Sequence, residues 1–293
     1  MNNLNRADLN AGPSNDSVEG FPFHKGSAIR RLIEPASFAL FPYIAGLTVM
    51  DDTIAAAVDL HSTFQTHPLE RLISTINAAI VLVFGNANEV RDMAMSIHSF
   101  HSTVHGNRDG IVYHANNIDS QIWVLAAVFQ GMVEARRRFS SSAYTIDEER
   151  ELYLDFRLFS HFFGINKDLM PKDINAFKDY WEERLNGSYL LNTQISRDMS
   201  RAVFRFSGSK KLSPLWKVNQ AISIASLDQR LLIKSGLELT KKDRQISEKV
   251  DLVMGHTYGY LPRALRAQVI PFYMVTRRLT ARVIKATKSN KKQ

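Results

Sequence analysis

The segment TIDEERELYLDFRLFSHFFG, residues 145–164, carries the strongest structural signal in this 293-residue chain. Thr145 lies three residues before Glu148, the arrangement of a capping box that starts a helix. Large apolar side chains then recur at spacings of three and four residues, at Leu152, Phe156, Phe159 and Phe163. This spacing places them on one helical face, and Gly164 is a typical stop signal. The segment therefore predicts a helix whose aromatic face packs against other helices.

Helical periodicity continues on both sides of this segment. A second helix should start just after Pro171 and end at Asn186-Gly187. Further helical runs cover residues 54–64, 69–84, 89–104, 120–139, 191–204, 214–224 and 241–254. A final basic run spans 263–285, where Pro271 should kink or break the helix. Strand signals are weak, so the sequence predicts an all-α fold, a single multi-helix bundle that is globin-like in general character.

The chain shows no internal repeat and no linker long enough to separate two cores. The predicted organisation is a flexible polar leader over residues 1–20, one helical domain over 21–284 and a basic tail over 285–293. The polar stretch 207–213 (SGSKKLS) is the best internal loop.

Composition excludes several classes of function. The chain contains no cysteine, which rules out disulfides, cysteine-ligated iron and zinc, and cysteine nucleophiles. Its net charge is +8, but nine of its 37 Lys and Arg lie in residues 261–293, where no Asp or Glu occurs. The rest of the chain is therefore close to neutral, and no nucleic-acid partner is expected.

The polar first 20 residues contain no secretory signal, and the longest apolar stretch is 38–50. That stretch contains Pro42 and Gly46 and is shorter than the roughly 20 residues of a membrane span, so it predicts a buried core segment with a kink near Pro42. We expect a cytoplasmic protein. Apolar and basic residues alternate in 263–285, which fits either peripheral contact with an anionic membrane or a core helix with a solvated basic end.

Motifs of the common nucleotide-binding, hydrolase and metalloprotease families are absent, and six of the nine histidines lie in residues 61–115. In SIHSFHSTVHG, residues 96–106, His98, His101 and His105 are spaced i, i+3 and i+7. All three share one face if the helix continues to the end of the segment. They are either surface or capping histidines, or one of them points inward and ligates a metal or haem.

Arg71 and Thr75 are spaced i and i+4, so both can face inward together on the preceding helix. An arginine carried into a helical core needs an anionic partner, such as a haem propionate or a substrate carboxylate. The alternatives are a solvated or salt-bridged arginine and a threonine that bonds back to its own helix.

The order of short motifs resembles that of the bacterial and fungal family that contains the latex-clearing rubber oxygenase and the ER-bound oxygenase of mycophenolic acid synthesis. The matching positions run over roughly residues 25–280. They are Val58, His61, Ser62 and Phe64; Pro68, Leu69, Arg71, Leu72 and Thr75; Phe84 and Gly85; His101, Val104 and Gly106; Tyr113, Ala115, Trp123 and Val124; Phe139, Gly164, Leu169, Pro171 and Tyr180; and Leu261, Pro262 and Arg266.

This resemblance implies an all-α oxygenase and, in the rubber oxygenase branch, a haem b whose iron is ligated by the histidine of H-x-x-V-x-G. That histidine corresponds to His101, while His98 and His105 do not match the motif. The family's R-x-x-x-T lies beside the haem, which makes Arg71 and Thr75 candidate cofactor-binding and catalytic residues.

The chain also departs from the family. Asp51-Asp52 stands where many relatives carry His-Pro, Leu125 replaces a histidine, Ser74 replaces the lysine of the rubber oxygenase, and Asn117 replaces a frequent aspartate. Two hypotheses follow. The first is a haem-dependent oxygenase that uses O2 on a small apolar, isoprenoid or lipid-like substrate. The second is a non-catalytic helical protein that keeps the fold and binds a lipid or a partner without the cofactor.

Overall fold

Helices make up most of the structure, which is a computed structural model. It describes residues 23–24, 26–62, 68–206, 213–266 and 268. The predicted all-α class is confirmed. The predicted leader 1–20, the tail 285–293, the loop residues 207–212 and Pro271 lie outside the described residues.

The helices of the first half precede or flank the one small sheet in the described part of the chain. They are α1 (Ala28–Leu32), α2 (Phe41–Thr48), α3 (Asp52–His61), α4 (Pro68–Phe84), α5 (Ala87–Ser102) and α6 (Ile118–Phe139), with a 3-10 turn at Pro35–Leu40. The sheet is an antiparallel hairpin of β1 (His105–Arg108) and β2 (Ile111–His114).

The second half continues with helices joined by short turns. They are α7 (Ile146–Phe159), α8 (Ile174–Asn186), α9 (Gln194–Phe204), α10 (Ser213–Ala225), α11 (Gln229–Ser235), α12 (Lys241–His256) and α13 (Arg263–Arg266). Three 3-10 turns lie between them, at Ser160–Phe163, Lys167–Leu169 and Tyr258–Tyr260.

The helix predicted from residues 145–164 has the expected start and end. Thr145 and Glu148 form the reciprocal hydrogen bonds of a capping box. After α7 the chain tightens into the Ser160–Phe163 turn and stops at Gly164, whose φ of 72° is in the left-handed region that favours glycine. The aromatic face is buried as expected: Phe129 of α6 makes edge contacts with Tyr153, Phe156 and Phe177, at centroid distances of 5.2, 5.4 and 4.8 Å.

α6 is the central helix, because most of its 22 residues are buried, including Trp123, Leu125, Phe129 and Phe139. Asn117 caps its start by accepting from Ser120 N at 3.0 Å. The indole of Trp123 donates to the Leu47 carbonyl at 3.0 Å, which joins α6 to α2 in the core.

Three consecutive arginines end α6, and each is paired with a carboxylate. Arg136 binds buried Glu34 from the N-terminal segment, and Arg266 of α13 reaches the same carboxylate at 3.2 Å. Arg138 binds Asp251 of α12 at 2.8 Å, and Arg137 binds Glu134 one turn away at 2.7 Å. These pairs connect the end of α6 to both ends of the described chain.

The apolar stretch 38–50 changes helix type at the predicted place. The 3-10 turn ends at Leu40 and α2 begins at Phe41, with Pro42 in its first turn. Gly46 then lets α2 approach α9 closely, since a Cβ there would lie 2.2 Å from the ring of Phe204.

Most predicted helices are confirmed within a few residues. Two parts of the sequence-based prediction were wrong, both near the hairpin. The run 89–104 ends as a helix at Ser102, so His105 lies on β1. The hairpin itself was missed, although Asp109-Gly110 at its tip has φ values of 51° and 85°, the pattern of a type I′ turn. No helix in the described ranges is long and apolar enough to cross a membrane.

Gly46→Ala should destabilise the fold by about 1–3 kcal/mol, because the added methyl group forces α2 away from Phe204 in a closed core. Urea denaturation of the purified variant measures this change in the free energy of unfolding. Gly255→Ala is the matched control, since a Cβ at Gly255 in α12 meets nothing within 4 Å and alanine favours the helix by up to about 1 kcal/mol. Equal loss of stability in both variants would contradict the close approach of α2 and α9.

Candidate functional site

The residues singled out from the sequence meet where the end of α5, the hairpin, the start of α6 and α4 come together. α5 begins with a capping box in which Asn86 and Glu89 bond each other's backbone N–H groups at 2.8 and 3.1 Å. Sixteen residues later the helix ends at Ser102, so His101 lies in its last turn. The local sequence therefore places His101 at the point where the chain turns into β1.

His101 has an unusual environment for a polar side chain. The ring is partly buried, and its Nδ1 is buried without a hydrogen-bond partner among the described residues. Burial lowers its pKa from 6.5 to about 4, and the nearby charges of Arg71, His98 and His114 act in the same direction. The imidazole is consequently neutral at pH 7, which is the form that ligates a metal.

Among the charged groups that lower the pKa of His101, Arg71 of α4 has the largest effect. Its side chain is partly open to solvent, while partial burial of the guanidinium lowers its own pKa. Within the described ranges no carboxylate forms an ion pair with Arg71. The group can therefore receive an anion.

Thr75 follows Arg71 one turn later, and its hydroxyl donates to the Arg71 carbonyl at 3.0 Å. Both residues are exposed, so the expectation that they face inward together differs from the structure. Ser74 is exposed as well. The threonine hydroxyl is used within its own helix, which is common for this residue type.

The three histidines of SIHSFHSTVHG do not share a face. His98 and His101 lie on α5, whereas His105 lies on β1 opposite His114, with their rings stacked at a centroid distance of 5.7 Å. The helix ends before His105 because Thr103 and Val104 turn back, their N–H groups bonding Phe100 and His101 carbonyls. The prediction of one shared face was therefore wrong for His105.

Two amides that the sequence analysis missed hold this region together. The Asn116 amide donates to the His98 carbonyl at 3.4 Å and to the Ser102 hydroxyl at 3.1 Å. Gln121 donates to the Ala115 carbonyl at 3.2 Å and to Asn116 Oδ1 at 3.3 Å. The amides thus tie the end of α5 to the start of α6. No local pattern distinguishes these amides from surface ones, because their partners lie up to 18 residues away.

The resemblance motifs around the hairpin contact one another. His61 Nε2 and the Tyr113 hydroxyl lie 2.8 Å apart. Tyr113 is the cross-strand partner of Gly106, and its ring covers that glycine, where a Cβ would lie 2.7 Å from the hydroxyl. Val104 and Tyr113 pack with Ala56 and Ala57 of α3. These residues position the hairpin and, through it, the end of α5.

The side chains packed around His101 leave almost no free space. They are Ile97 and His98, the two amides, and Phe162 and Phe163 from the turn after α7, and the volume open to a water-sized sphere between them is about 0 Å³. A small-molecule pocket typically has roughly 300–1,000 Å³.

The donor chemistry at His101 suits a haem, whereas the adjoining space does not. In favour are a neutral imidazole with an unpartnered nitrogen and an arginine that can receive a propionate. In the described part of the chain no three His, Asp or Glu side chains form a metal-binding group. A porphyrin does not fit between these closely packed side chains, so its binding requires this region to widen.

The two aspartates that depart from the family pattern lie at the start of α3, where Asp51 caps the helix and Asp52 bonds the beginning of α9. Asp51 accepts from the N–H groups of Thr53 and Ile54 at 3.0 Å each, at the start of α3. Asp52 accepts from Thr193 N at 3.1 Å and from Ser196 Oγ at 2.5 Å, at the start of α9. Leu125 is buried in the apolar core. These three residues therefore contribute caps and packing.

Comparison with known proteins gives one match. The model of the family described as ER-bound oxygenase mpaB/B'/Rubber oxygenase, catalytic domain, matches residues 30–269. No curated protein and no solved structure matches the chain. The matched range contains Arg71, Thr75 and His101.

His101 should make the folded protein less stable in mild acid. The folded-state pKa of about 4 lies below the ordinary 6.5, so the unfolded chain takes up the proton first as the pH falls through this window. The cost at pH 5 relative to pH 7 is about 2 kcal/mol. Urea denaturation at both pH values should show this loss in the wild type and a smaller loss in His101→Gln.

The control for this experiment is His256→Gln, which changes an exposed histidine on α12. It should keep the pH dependence of the wild type. If His101→Gln keeps that dependence too, the ring of His101 is not desolvated as described.

Proposed function

The chain belongs to the family of ER-bound oxygenase mpaB/B' and rubber oxygenase catalytic domains, and on this basis we propose that it is a haem-dependent oxygenase. The observation that supports the proposal most strongly is the buried, unpartnered Nδ1 of His101 on a neutral imidazole. A buried polar atom without a partner is costly, and a ligand that uses the ring would offset this cost.

Each proposed site residue has a distinct task. His101 would hold the cofactor as its axial ligand, and the charge of Arg71 would pair with a propionate. Thr75 would act as a positioning residue, because its hydroxyl fixes the helical turn that carries Arg71. Haem b supplies the redox chemistry on O2 that amino acid side chains do not provide.

The protein would contribute an apolar and closed surrounding. Ile97, Phe162 and Phe163 provide hydrocarbon surface beside His101, while Asn116 and Gln121 fix the helix end that carries it. Once widened to take haem, such a lining would suit a small apolar substrate, of isoprenoid or lipid-like chemistry, and would exclude water from the reacting groups. The cytoplasmic location expected from the sequence stays a prediction.

A second function is favoured by one specific observation, the small volume beside His101. In this alternative the chain keeps the family fold as a non-catalytic lipid- or partner-binding protein without haem. Asp51-Asp52, in place of the family's His-Pro, and Leu125, in place of a family histidine, agree with it, because they contribute a helix cap, hydrogen bonds and packing and leave two family histidines missing.

The absorption spectrum of protein purified from haem-supplemented cells distinguishes the two functions. We expect a Soret band and about one haem per chain in a pyridine haemochrome assay, as a single axial histidine implies. His101→Ala should lose the haem and keep its helical circular dichroism, while His98→Ala, one turn earlier on α5, should retain it. A chain without haem after reconstitution, or loss of haem in His98→Ala alone, would refute the proposed ligand.

Arg71→Ala should weaken haem retention roughly 10- to 100-fold, the usual cost of removing a group that supports a metal site. Transfer of haem to apomyoglobin measures retention without reference to activity. Arg91→Ala removes another exposed arginine, on α5, and should leave the transfer rate unchanged. Equal rates for Arg71→Ala and the wild type would remove Arg71 from the site.

A further inference from the structure

The last part of the described chain carries an exposed apolar surface. Its members are large side chains that are each at least 43% exposed: Leu252, Val253, Tyr260, Leu261 and Leu265. We call this set the C-terminal patch. It includes neighbouring parts of α12, the Tyr258–Tyr260 turn and α13, and the rings of His256 and Tyr260 are 6.2 Å apart. A contiguous exposed apolar surface usually marks an interaction site.

The backbone under the patch is firmly attached to the core, so these side chains are held outward. Gly259 is buried against residues 140–141, where a Cβ would lie 2.8 Å from Ser141 N. Arg266 donates to the Leu261 carbonyl at 3.0 Å and reaches buried Glu34 at 3.2 Å. Because Arg266 anchors one side of α13 in the core, Leu265 on the other side stays exposed.

Positive charge lies on the same helix as part of the patch and in the sequence that follows it. The exposed face of α12 carries Lys241, Lys242, Arg244 and Lys249, with Glu248 as its one acidic residue. The other two acidic residues of the helix are paired with arginines: Asp243 with Arg205 at 3.1 Å and Asp251 with Arg138 at 2.8 Å. From Leu261 to the last residue the sequence contains nine basic and no acidic residues.

We propose that the C-terminal patch docks onto an anionic lipid bilayer. Apolar side chains flanked by lysine and arginine are the composition of a surface that lies in a membrane interface, where hydrocarbon enters the lipid and cations meet acidic headgroups. The chain's own residues 269–293 are a poorer occupant, because they carry the same positive charge as the exposed face of α12. A bilayer with negative headgroups is attracted both to residues 269–293 and to the exposed face of α12.

Docking through the C-terminal patch would bring the protein to the lipid bilayer, where apolar molecules are dissolved. The proposal does not depend on haem, because it rests on α12, the Tyr258–Tyr260 turn and α13 and not on His101. A protein without haem that binds vesicles through the patch would refute the oxygenase proposal alone.

The absence of cysteine allows a direct test on the full chain. Single-cysteine variants Leu252→Cys and Leu265→Cys, labelled with the polarity-sensitive fluorophore NBD, report contact with lipid at the patch. Ile233→Cys on α11, which is 73% exposed, is the matched control. Vesicles of phosphatidylcholine with phosphatidylserine should shift NBD emission to the blue at positions 252 and 265 and leave position 233 unchanged. Phosphatidylcholine alone or high salt should abolish the shift.

Cosedimentation with the same vesicles tests whether the patch supplies affinity. Leu252→Ser combined with Val253→Ser should weaken binding about tenfold or more, because two half-exposed apolar side chains no longer enter the bilayer. Ile233→Ser should bind as the wild type does. Unchanged binding of the double variant would overturn the proposal. So would an NBD label at position 252 that is already in an apolar environment without vesicles, since the patch would then be covered by this chain or a second copy.

Discussion

Three arginines at the end of one buried helix impose the strongest constraint on this structure. α6 runs through the centre, and its last turn places Arg136 and Arg138 where little water reaches them. Positive charge suits the C-terminal end of a helix, but buried charge also needs a carboxylate partner. Glu34 comes from about 100 residues earlier and Asp251 from about 110 residues later, so the pairs join both ends of the described chain to α6. Arg266 shares Glu34, which also holds α13 and the surface above it in place.

At His101, in contrast to the paired arginines of α6, a polar atom lies in the interior without a hydrogen-bond partner among the described residues. Here the ring of His101 is partly buried and its Nδ1 has no hydrogen-bond partner among the described residues, while Asn116 and Gln121 bond backbone carbonyls around it. Folding thus keeps the imidazole neutral and available at some cost in stability. Such local departures from good pairing are expected at functional sites, because a side chain that is already satisfied cannot bind a ligand. The same region encloses almost no free space, so the proposed binding of haem would require α5 and the turn at Phe162 and Phe163 to move apart.

The two functional inferences rest on different physics. At His101 the argument concerns desolvation, which shifts a pKa and removes hydrogen-bond partners. At the C-terminal patch it concerns apolar surface that folding has left in water, with cations at its border. A protein that handles apolar molecules would benefit from both: one feature provides a water-excluding interior, and the other provides access to the phase that holds such molecules.

The sequence was sufficient where short-range rules govern. The capping pair Thr145 and Glu148, the aromatic spacing of α7 and the stop at Gly164 all appear in the structure, because caps and helical faces depend on residues within one or two turns. The order of motifs also indicated the family that matches residues 30–269. The hairpin turn at Asp109-Gly110 carried a local signal that the sequence-based prediction missed. Because the hairpin begins at His105, that residue stacks on His114 and does not share a helical face with His101.

Other features depend on contacts between residues far apart in the chain. Among the described residues, neither the missing hydrogen-bond partner of His101 Nδ1 nor the missing ion-pair partner of Arg71 can be read from spacing, since both follow from what α4, α6 and the hairpin bring alongside. The same holds for Asp52, whose bonds to Thr193 and Ser196 form only when α3 and α9 meet, whereas Asp51 caps α3 through neighbours two and three residues away. Sequence alone thus determined the helices and their faces, because those are local properties. Tertiary packing determined burial, pairing and the proton affinity of His101, because each depends on the atoms that surround a group once distant segments have met.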